Sequence, residues 1–325
     1  FSQRPHYRRR LWTNLLNGFN SLWLFIESGG EGVLACDGRI PAHIRWVLPD
    51  YKAIKNGLGT FVTRAERLHS GIAVLHDFRS LTCAEQVEGV STYAGSHRMF
   101  DRILNDNGMQ YKYIGPRALV NGILDEEKFN VLILPFACAL ADVQVDVVRR
   151  FVKNGGTVVA DVVPAVFDGH GRPVEDGALA DVFGVRHVAL NERVRGPVVS
   201  EKGLDLPFAI APAGVVATAA KSTAAVDGTP VCLENRYGKG QAWLLNFTPF
   251  SYMDLAEIDE EAPAANALGE IIGAEPLARL IDSDGKILPG IEVMNSFDFD
   301  GRRLLGILPA KDFAAATLLL DKPYF

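Results

Sequence analysis

The middle of the chain alternates short apolar runs with amphipathic segments. The apolar runs at residues 72–76, 110–114, 130–135 and 157–161 have the length of buried strands, and most are rich in Val, Ile and Leu. A helix is predicted over 142–153, where apolar residues recur at helical spacing and two glycines follow. Strands that alternate with amphipathic helices predict βαβ units. This part of the chain is therefore predicted to be an α/β fold with a doubly wound, flavodoxin-like parallel sheet.

A different pattern precedes this region. The apolar run at 19–26 predicts a buried strand, and a Gly-rich loop follows it at 28–32. A helix is predicted from Asp50 to about His69, because apolar residues form one stripe there and an Asp at the first position is a favourable N-cap. The N-terminal segment thus predicts a helix, a strand, a long loop and a helix.

The pattern changes again after Gly184, where short strands become frequent. The runs 229–235 and 241–247 flank a turn with two glycines and predict a hairpin. A helix is predicted over 262–272. The final residues predict a small antiparallel piece that is too short to close a sandwich or a barrel by itself.

Length and composition place these elements in several domains. A chain of 325 residues is longer than one core usually requires, and we expect two or three domains. Apolar residues make up 48% and charged residues 22%, a balance that excludes a disordered chain. The chain starts at Phe1 and stops at Phe325 within a strand-like pattern, which leaves open that it is a piece of a longer protein.

Charge and cysteine usage exclude several partners. The net charge of −6 gives no general attraction to nucleic acid, and the uncharged stretches are too short to span a membrane, so neither partner is predicted. The four cysteines show neither paired spacing nor a neighbouring histidine cluster. Isolated buried thiols are therefore predicted, and neither a metal nor another cofactor is expected.

The order of elements around Gly155-Gly156 resembles the class I glutamine amidotransferase fold. That family hydrolyses amides with a Cys-His-Glu triad, whose cysteine occupies a tight turn after the strand that follows the glycine pair. The matching residues here, 161–165, contain no nucleophile. Thr248 and Phe250 occupy the positions that would require the base and its carboxylate. The resemblance therefore implies the fold without the amidotransferase activity.

Four further motifs follow one another in a particular order. They are Lys-Asn-Gly-Gly-Thr-Val-Val at 153–159, Asp168 in a Gly/Pro-rich loop, Gly-Ala-Leu-Ala-Asp-Val-Phe-Gly-Val at 177–185, and a Tyr-Gly-Lys-Gly hairpin at 237–240 that leads to Thr-Pro at 248–249. In this order they resemble the trimerisation domain that follows the catalytic barrel in glycoside hydrolase family 42, the β-galactosidases. The resemblance implies a homo-oligomer, expected to be a trimer, and contact with carbohydrate through the parent enzyme.

The same resemblance gives an interpretation of the flanking segments. Residues 1–70 would be the tail of a (β/α)8 barrel, with 18–25 as its eighth strand. Residues 71–275 would be the amidotransferase-like trimerisation domain, and residues 276–325 a partial antiparallel β domain. The loop after the eighth strand would lie at the mouth of the barrel, where barrel enzymes carry their chemistry. Trp23, Glu27 and Glu31 are therefore candidate sugar-binding residues. The loop lacks one residue of the family's Gly-Gly-Ala-Glu pattern.

The chemistry of the family determines what this chain is expected to lack. A retaining glycosidase needs two carboxylates about 5 Å apart. The family carries them on barrel strands four and seven, which would precede Phe1. No catalytic residue is therefore predicted in this chain, and we expect it not to hydrolyse glycosides by itself. The chain itself would mediate oligomerisation and form part of the wall of an active site.

Two alternatives remain open at this point. Open α/β sheets bind ligands at the carboxyl ends of their strands. A non-enzymatic, amidotransferase-like ligand-binding module would use the residues near that crevice, which are His76, Asp77, Phe136, Asp161 and Asp168. A hydrolase that uses Cys138 as its nucleophile is the third interpretation, since this cysteine follows a predicted strand.

Overall fold

The structure, a computed structural model, describes residues 3–19, 37–87, 93–200, 203–247 and 250–322. The helices of this part of the chain are α1 (Gln3–Leu16), α2 (Ala42–Ala53), α3 (Gly59–Arg64), α4 (Phe78–Cys83), α5 (Tyr93–Asp106), α6 (Pro116–Val120), α7 (Ile123–Glu126), α8 (Asp142–Lys153), α9 (Ala180–Phe183), α10 (Phe250–Glu257) and α11 (Ala262–Ile272). The strands are β1 (Glu66–Arg67), β2 (Ile72–Leu75), β3 (Tyr111–Ile114), β4 (Val131–Leu134), β5 (Thr157–Asp161), β6 (Val185–His187), β7 (Arg193–Ser200), β8 (Leu206–Pro212), β9 (Val215–Ala217), β10 (Lys221–Val226), β11 (Thr229–Tyr237), β12 (Gly240–Leu245), β13 (Ala278–Ile281), β14 (Ile291–Phe299), β15 (Arg302–Pro309) and β16 (Thr317–Leu320).

The chain divides into two compact units. The first contains residues 1–68, 290–314 and 320–325, and the second contains residues 69–289 and 315–319. No helix among the described residues is long and apolar enough to cross a membrane.

The second unit is built on a nine-stranded mixed sheet with the order β3-β2-β4-β5-β12-β11-β10-β7-β8. The predicted strands of the βαβ region are present, and β3, β2, β4, β5 and β12 run parallel. The prediction of a parallel sheet describes only this half, because β11, β10, β7 and β8 continue the same sheet in antiparallel pairs. The change occurs at the predicted hairpin. Its two-residue turn contains Gly238 with a φ of +64° and returns β12 antiparallel to β11.

Helices cover both faces of the parallel half. On one face, Met99 and Phe100 of α5 and Leu268 of α11 pack on Ile72 and Ile133 of the strands. All five side chains are buried. Alternate strand residues point to the opposite face, as the two-residue period of a strand requires.

The opposite face packs against α8, whose bounds agree with the prediction. Val145, Val148 and Val152 form its buried stripe and belong to the same apolar cluster as Leu132 and Val158 of the strands. Their spacing of three and four residues places them on one side of the helix. The helix ends where Gly155 adopts a φ of +121°, a conformation that glycine tolerates at low cost.

The first unit contains α1 to α3 and a three-stranded antiparallel sheet with the order β1-β14-β15. The predicted helix start at Asp50 is wrong. Helix α2 begins at Ala42 and contains Pro49, and a π-helical turn at Ile54–Leu58 connects it to α3. Ile44 and Val47 are buried before the proline, and we attribute the continuous helix to the burial of these side chains, which offsets the lost backbone hydrogen bond.

Asp50 lies inside the helix and holds α1 rather than capping α2. Its carboxylate accepts hydrogen bonds from Arg8 Nε at 2.8 Å and from Trp12 Nε1 at 3.1 Å. The hydrogen bond from Arg8 is the main reason that the pKa of Asp50 is lowered. Asp50 therefore pairs with side chains of α1 and does not mark the start of a helix.

Candidate functional site

The carboxyl edge of the parallel strands brings together four of the five residues that the ligand-binding alternative names. His76 and Asp77 follow β2, Phe136 follows β4, and Asp161 ends β5. Parallel strands bring such residues to the same edge, where open α/β sheets bind their ligands. The geometry of this edge therefore decides what the second unit can do chemically.

Asp161 is fully buried and fixes the backbone of this edge. It accepts a hydrogen bond from the backbone N–H of Phe136 at 2.5 Å and one from the hydroxyl of Ser96 on α5. Burial raises the pKa of Asp161 to about 7, against the lowering effect of these hydrogen bonds. The carboxyl therefore joins β4, β5 and α5, and it is not exposed to a ligand.

Asp77 is also occupied by the protein itself. Its carboxylate caps α4 by accepting from the backbone N–H of Arg79 at 2.9 Å, and it accepts from Gln144 Nε2 at 2.7 Å. Arg79 Nη1 lies 3.2 Å from the same carboxylate. Gln144 in turn accepts from the backbone N–H of Ala141, in the manner of the third residue of a capped helix. The buried charge of Asp77 is thus balanced locally.

A cluster of rings surrounds His76. Its imidazole contacts Tyr93 with ring centroids 5.5 Å apart and His97 with centroids 5.3 Å apart, and Tyr113 completes the group. Burial lowers the pKa of His97 and raises that of Tyr93 to about 12. His97 therefore favours its neutral form, and Tyr93 stays protonated at neutral pH.

The surface beside these groups contains a cavity of about 510 Å³. It is lined by His76, Asp77, Phe78, Arg79, Thr82 and Pro116. Arg79 is half-exposed, and its Nε and Nη2 atoms have no hydrogen-bond partner among the described residues. Phe78 exposes most of its ring. An anionic group with an apolar neighbour would match these two side chains.

Asp168 is not part of this arrangement. It lies in an exposed turn, where its carboxylate accepts from the backbone N–H groups of His170 at 2.8 Å and Arg172 at 2.9 Å. These backbone hydrogen bonds lower its pKa. Its role is to close the turn, and it does not line the cavity described above.

The turn after β5 keeps a tight geometry but carries apolar side chains. Val163 has a φ of +48° and Ala165 a φ of +53°, a region that a β-branched residue such as valine rarely adopts. Both side chains are buried. The strained turn at which the amidotransferase resemblance would require a cysteine is therefore present, whereas the nucleophile is absent from it. Thr248 lies outside the described residues.

The surroundings of Cys138 disfavour its nucleophilic form. It is fully buried, and its thiol donates to the carbonyl oxygen of Ser80 with an S···O distance of 3.6 Å. Burial and the neighbouring Cys83 raise its pKa to about 12. The active thiolate is therefore disfavoured at neutral pH, which argues against the hydrolase alternative.

The remaining predicted site residues, Trp23, Glu27 and Glu31, lie outside the described residues. Within the described part of the chain, no group of three or more His, Cys, Asp or Glu side chains could hold a metal ion. The sequence analysis missed Ser96 and Gln144, which fix the two carboxyl groups of the edge. The position of Gln144 in the first turn of a helix was a local signal, but nothing in the sequence pattern marked Ser96.

The comparisons with known proteins agree with this architecture. Residues 70–256 match the β-galactosidase trimerisation domain family. No curated protein matches. Among solved structures, the chain is similar to Gan42B, a β-galactosidase of glycoside hydrolase family 42 from G. stearothermophilus, with 16% identity and a TM-score of 0.68 over 97% of this chain and 47% of that chain.

Two other β-galactosidases give a similar result. The enzyme from Bacillus circulans sp. alkalophilus is 20% identical over 86% of this chain and 41% of its own, with a TM-score of 0.62. The cold-adapted enzyme from Rahnella sp. R3 is 17% identical over 89% and 44%, with a TM-score of 0.62. The chain spans less than half the length of these three proteins, and identities this low show the shared fold. With a match over more than half of its residues, the chain belongs to the β-galactosidase trimerisation domain family of glycoside hydrolase family 42.

Proposed function

We propose that this chain is the assembly portion of a β-galactosidase-like glycoside hydrolase and that its second unit joins copies of the chain into a homotrimer. The observation that carries the proposal is the match of residues 70–256 with the β-galactosidase trimerisation domain family. The match lies entirely within the second unit, which contains residues 69–289. Carbohydrate is the substrate class of the whole enzyme in this proposal.

The chemistry of the carboxyl edge argues against an amidotransferase activity of the second unit. Asp161 is buried and hydrogen-bonded, and Cys138 is buried with a raised pKa. The tight turn at Val163 presents an apolar side chain. An amidotransferase-like fold with these three features has no exposed nucleophile at the position where the active relatives would need one.

The flanking segments extend the proposal. We assign 1–70 to the tail of a (β/α)8 barrel, 71–275 to the assembly domain and 276–325 to a partial β domain. The structural similarity to Gan42B, which covers 97% of the chain, supports this assignment. In this assignment the loop with Trp23, Glu27 and Glu31 walls the sugar-binding site, and the catalytic carboxylate pair lies outside this chain.

Size-exclusion chromatography with light scattering tests the assembly role. A monomer has a mass of 35.4 kDa, and the proposal expects a species of three times that mass. A strictly monomeric chain at micromolar concentration would refute it. Nitrophenyl galactosides test the second part: the chain should give no turnover, and hydrolysis that copurifies with it would show that the carboxylate pair is present.

The cavity beside Arg79 favours a second candidate function, a non-enzymatic ligand-binding module. A small molecule with a carboxylate or phosphate group would pair with the free guanidinium atoms and pack on Phe78. Isothermal titration with a panel of small aromatic carboxylates and sugar phosphates tests this function. Binding that Arg79→Met removes would support it, and absence of binding throughout the panel would count against it.

A further inference from the structure

In the antiparallel half of the large sheet, α9 packs on β11, but β7 and β8 expose apolar side chains on the side opposite the core. Strand β7 alternates regularly: Val194 and Val198 pack into the core, and Val199 points to the opposite side with 72% of its surface exposed. Phe208 on the neighbouring strand β8 is 48% exposed. These exposed fractions are large for apolar side chains. A contiguous apolar patch on a folded domain is often a contact surface.

The register shows that the exposed residues share one face. Val199 pairs with Ala225 of β10, and Arg195 pairs with Ile210 of β8. Directly paired residues of antiparallel strands lie on the same side of the sheet. The face defined by Arg195, Pro197, Val199, Phe208, Ile210 and Ala225 is called the β7–β8 face below. Its centre, formed by Pro197, Val199 and Phe208, is uncharged, as the centres of interfaces often are, while Arg195 and Arg193 lie toward one end of the same side.

Strand β8 ends the sheet, and its sequence indicates that contacts form through the face and not through the edge. The strand Leu206–Pro212 contains no charged residue, although charges commonly protect edge strands from pairing. Pro207 and Pro212 lack the N–H group that a further strand would need. A β-bulge also interrupts β8, because Val198 pairs with Leu206 while Gly196 pairs with Ala209. Addition of another strand is thereby disfavoured, and the broad face stays accessible.

We infer that the β7–β8 face is one of the contact surfaces between copies of this chain. The inference rests on the proposed function as an assembly portion. The face lies within residues 70–256, the part that matches the trimerisation domain family. A second copy fits better than a small molecule, because a flat sheet face offers no concave site. In a closed ring of three, each contact joins two different surfaces, so this face meets another part of the next copy.

Charge substitutions on the face test the inference. Val199→Asp and Phe208→Asp each place a carboxylate on the proposed contact, and we expect each to raise the dissociation constant of the trimer roughly 30-fold or more. Val199→Thr keeps the β-branched shape and should weaken assembly less. The matched control is Val143→Asp on α8, which is 56% exposed and lies outside the face. It should leave the mass unchanged.

Light scattering and sedimentation over a range of concentrations give the masses, and circular dichroism with urea unfolding verifies that each variant is folded. Dissociation by the two face variants, with the control still trimeric, supports the inference. If the wild type is a trimer and the face variants assemble as tightly as the wild type, the inference is overturned and the proposed function stands. That result is expected if another part of a longer parent protein covers this face. Dissociation by the control as well would also overturn it. A monomeric wild type would instead refute the proposed function.

Discussion

The buried carboxyl of Asp161 predicts that the stability of this protein falls as the pH rises from acidic to neutral. The folded protein surrounds the carboxyl with apolar strands, and two hydrogen bonds, from Phe136 and Ser96, do not offset the loss of water. Its pKa is raised to about 7. The folded protein therefore keeps a proton that the unfolded chain has already released.

The size of the effect follows from the two pKa values. An unfolded aspartate has a pKa of about 3.9, about three units below the folded value, and each unit corresponds to about 1.4 kcal/mol. Below about pH 4 both states carry the proton, so no penalty exists. Between about pH 4 and pH 7 only the unfolded state ionises, and the free energy of unfolding falls by about 4 kcal/mol. Above about pH 7 both states are ionised and the contribution is constant.

Asp161→Asn isolates this contribution from the other titrating groups. The amide has nearly the same shape, can accept from the N–H of Phe136 and can donate to the hydroxyl of Ser96, but it does not titrate. Urea unfolding across the interval measures the free energy of unfolding for both proteins. We expect the wild-type value minus the variant value to fall by about 4 kcal/mol between about pH 4 and pH 7. The same difference for Asp168→Asn, an exposed carboxylate with a lowered pKa, should stay flat there.

The reasoning would be refuted if the free energy of unfolding of the wild type minus that of Asp161→Asn stayed constant or rose over this pH interval. Either result would mean that Asp161 is ionised in the folded protein throughout, so that its hydrogen bonds outweigh the cost of burial. In that case Ser96→Ala should raise the pKa of Asp161 and restore the fall in stability. Ser96→Ala thus tests whether the hydrogen bond from Ser96 is what keeps Asp161 ionised.

Three further predictions concern packing. Gly108→Ala should lower the free energy of unfolding by about 3 kcal/mol or more, because its Cβ would lie 1.7 Å from a carbonyl oxygen of β13. The control Gly228→Ala, at a glycine with a similar φ and open space around it, should lower it by about 1 kcal/mol, and urea unfolding measures both. Cys138→Ala should not change the rate at which a thiol reagent labels the folded protein at neutral pH. Faster labelling of the wild type than of this variant would contradict the burial of Cys138. Tyr252→Phe should lower the melting temperature through a loss of about 1–3 kcal/mol, because Tyr252 donates to buried Asp106 at 2.7 Å; an unchanged melting temperature would contradict this.

Local patterns sufficed for the elements of the parallel half. The bounds of α8 and β5 agree with the prediction because each element carries its own signals: a buried stripe at helical spacing, a glycine at the helix end and a continuous apolar run. The same rules failed at Asp50, because the predicted N-cap residue lies inside a helix that begins at Ala42. Burial of Ile44 and Val47 is a tertiary effect, and it overrides a local signal that is otherwise reliable.

The candidate site could be predicted only in part. Strand ends and loops identified Asp77 and Asp161 as residues of the carboxyl edge, because topology alone brings them there. Their partners are far along the chain: Gln144 bonds Asp77 across 67 residues, and Ser96 bonds Asp161 across 65. A local pattern gives no information on such pairs. These partners change the interpretation, since they convert two candidate ligand-binding carboxylates into structural groups.

The two halves of the large sheet differ in what they leave for other molecules. In the parallel half, helices cover both faces, and the carboxylates of Asp77 and Asp161 bond to the protein itself. At the carboxyl edge of this half, Arg79 and Phe78 line a cavity that a ligand can reach. In the antiparallel half, the β7–β8 face exposes apolar side chains that a folded monomer gains nothing by exposing. Because the two surfaces share no residue, variants at Arg79 and at Val199 should act independently. Loss of assembly without loss of ligand binding, and the reverse, would assign each function to its own half of the sheet.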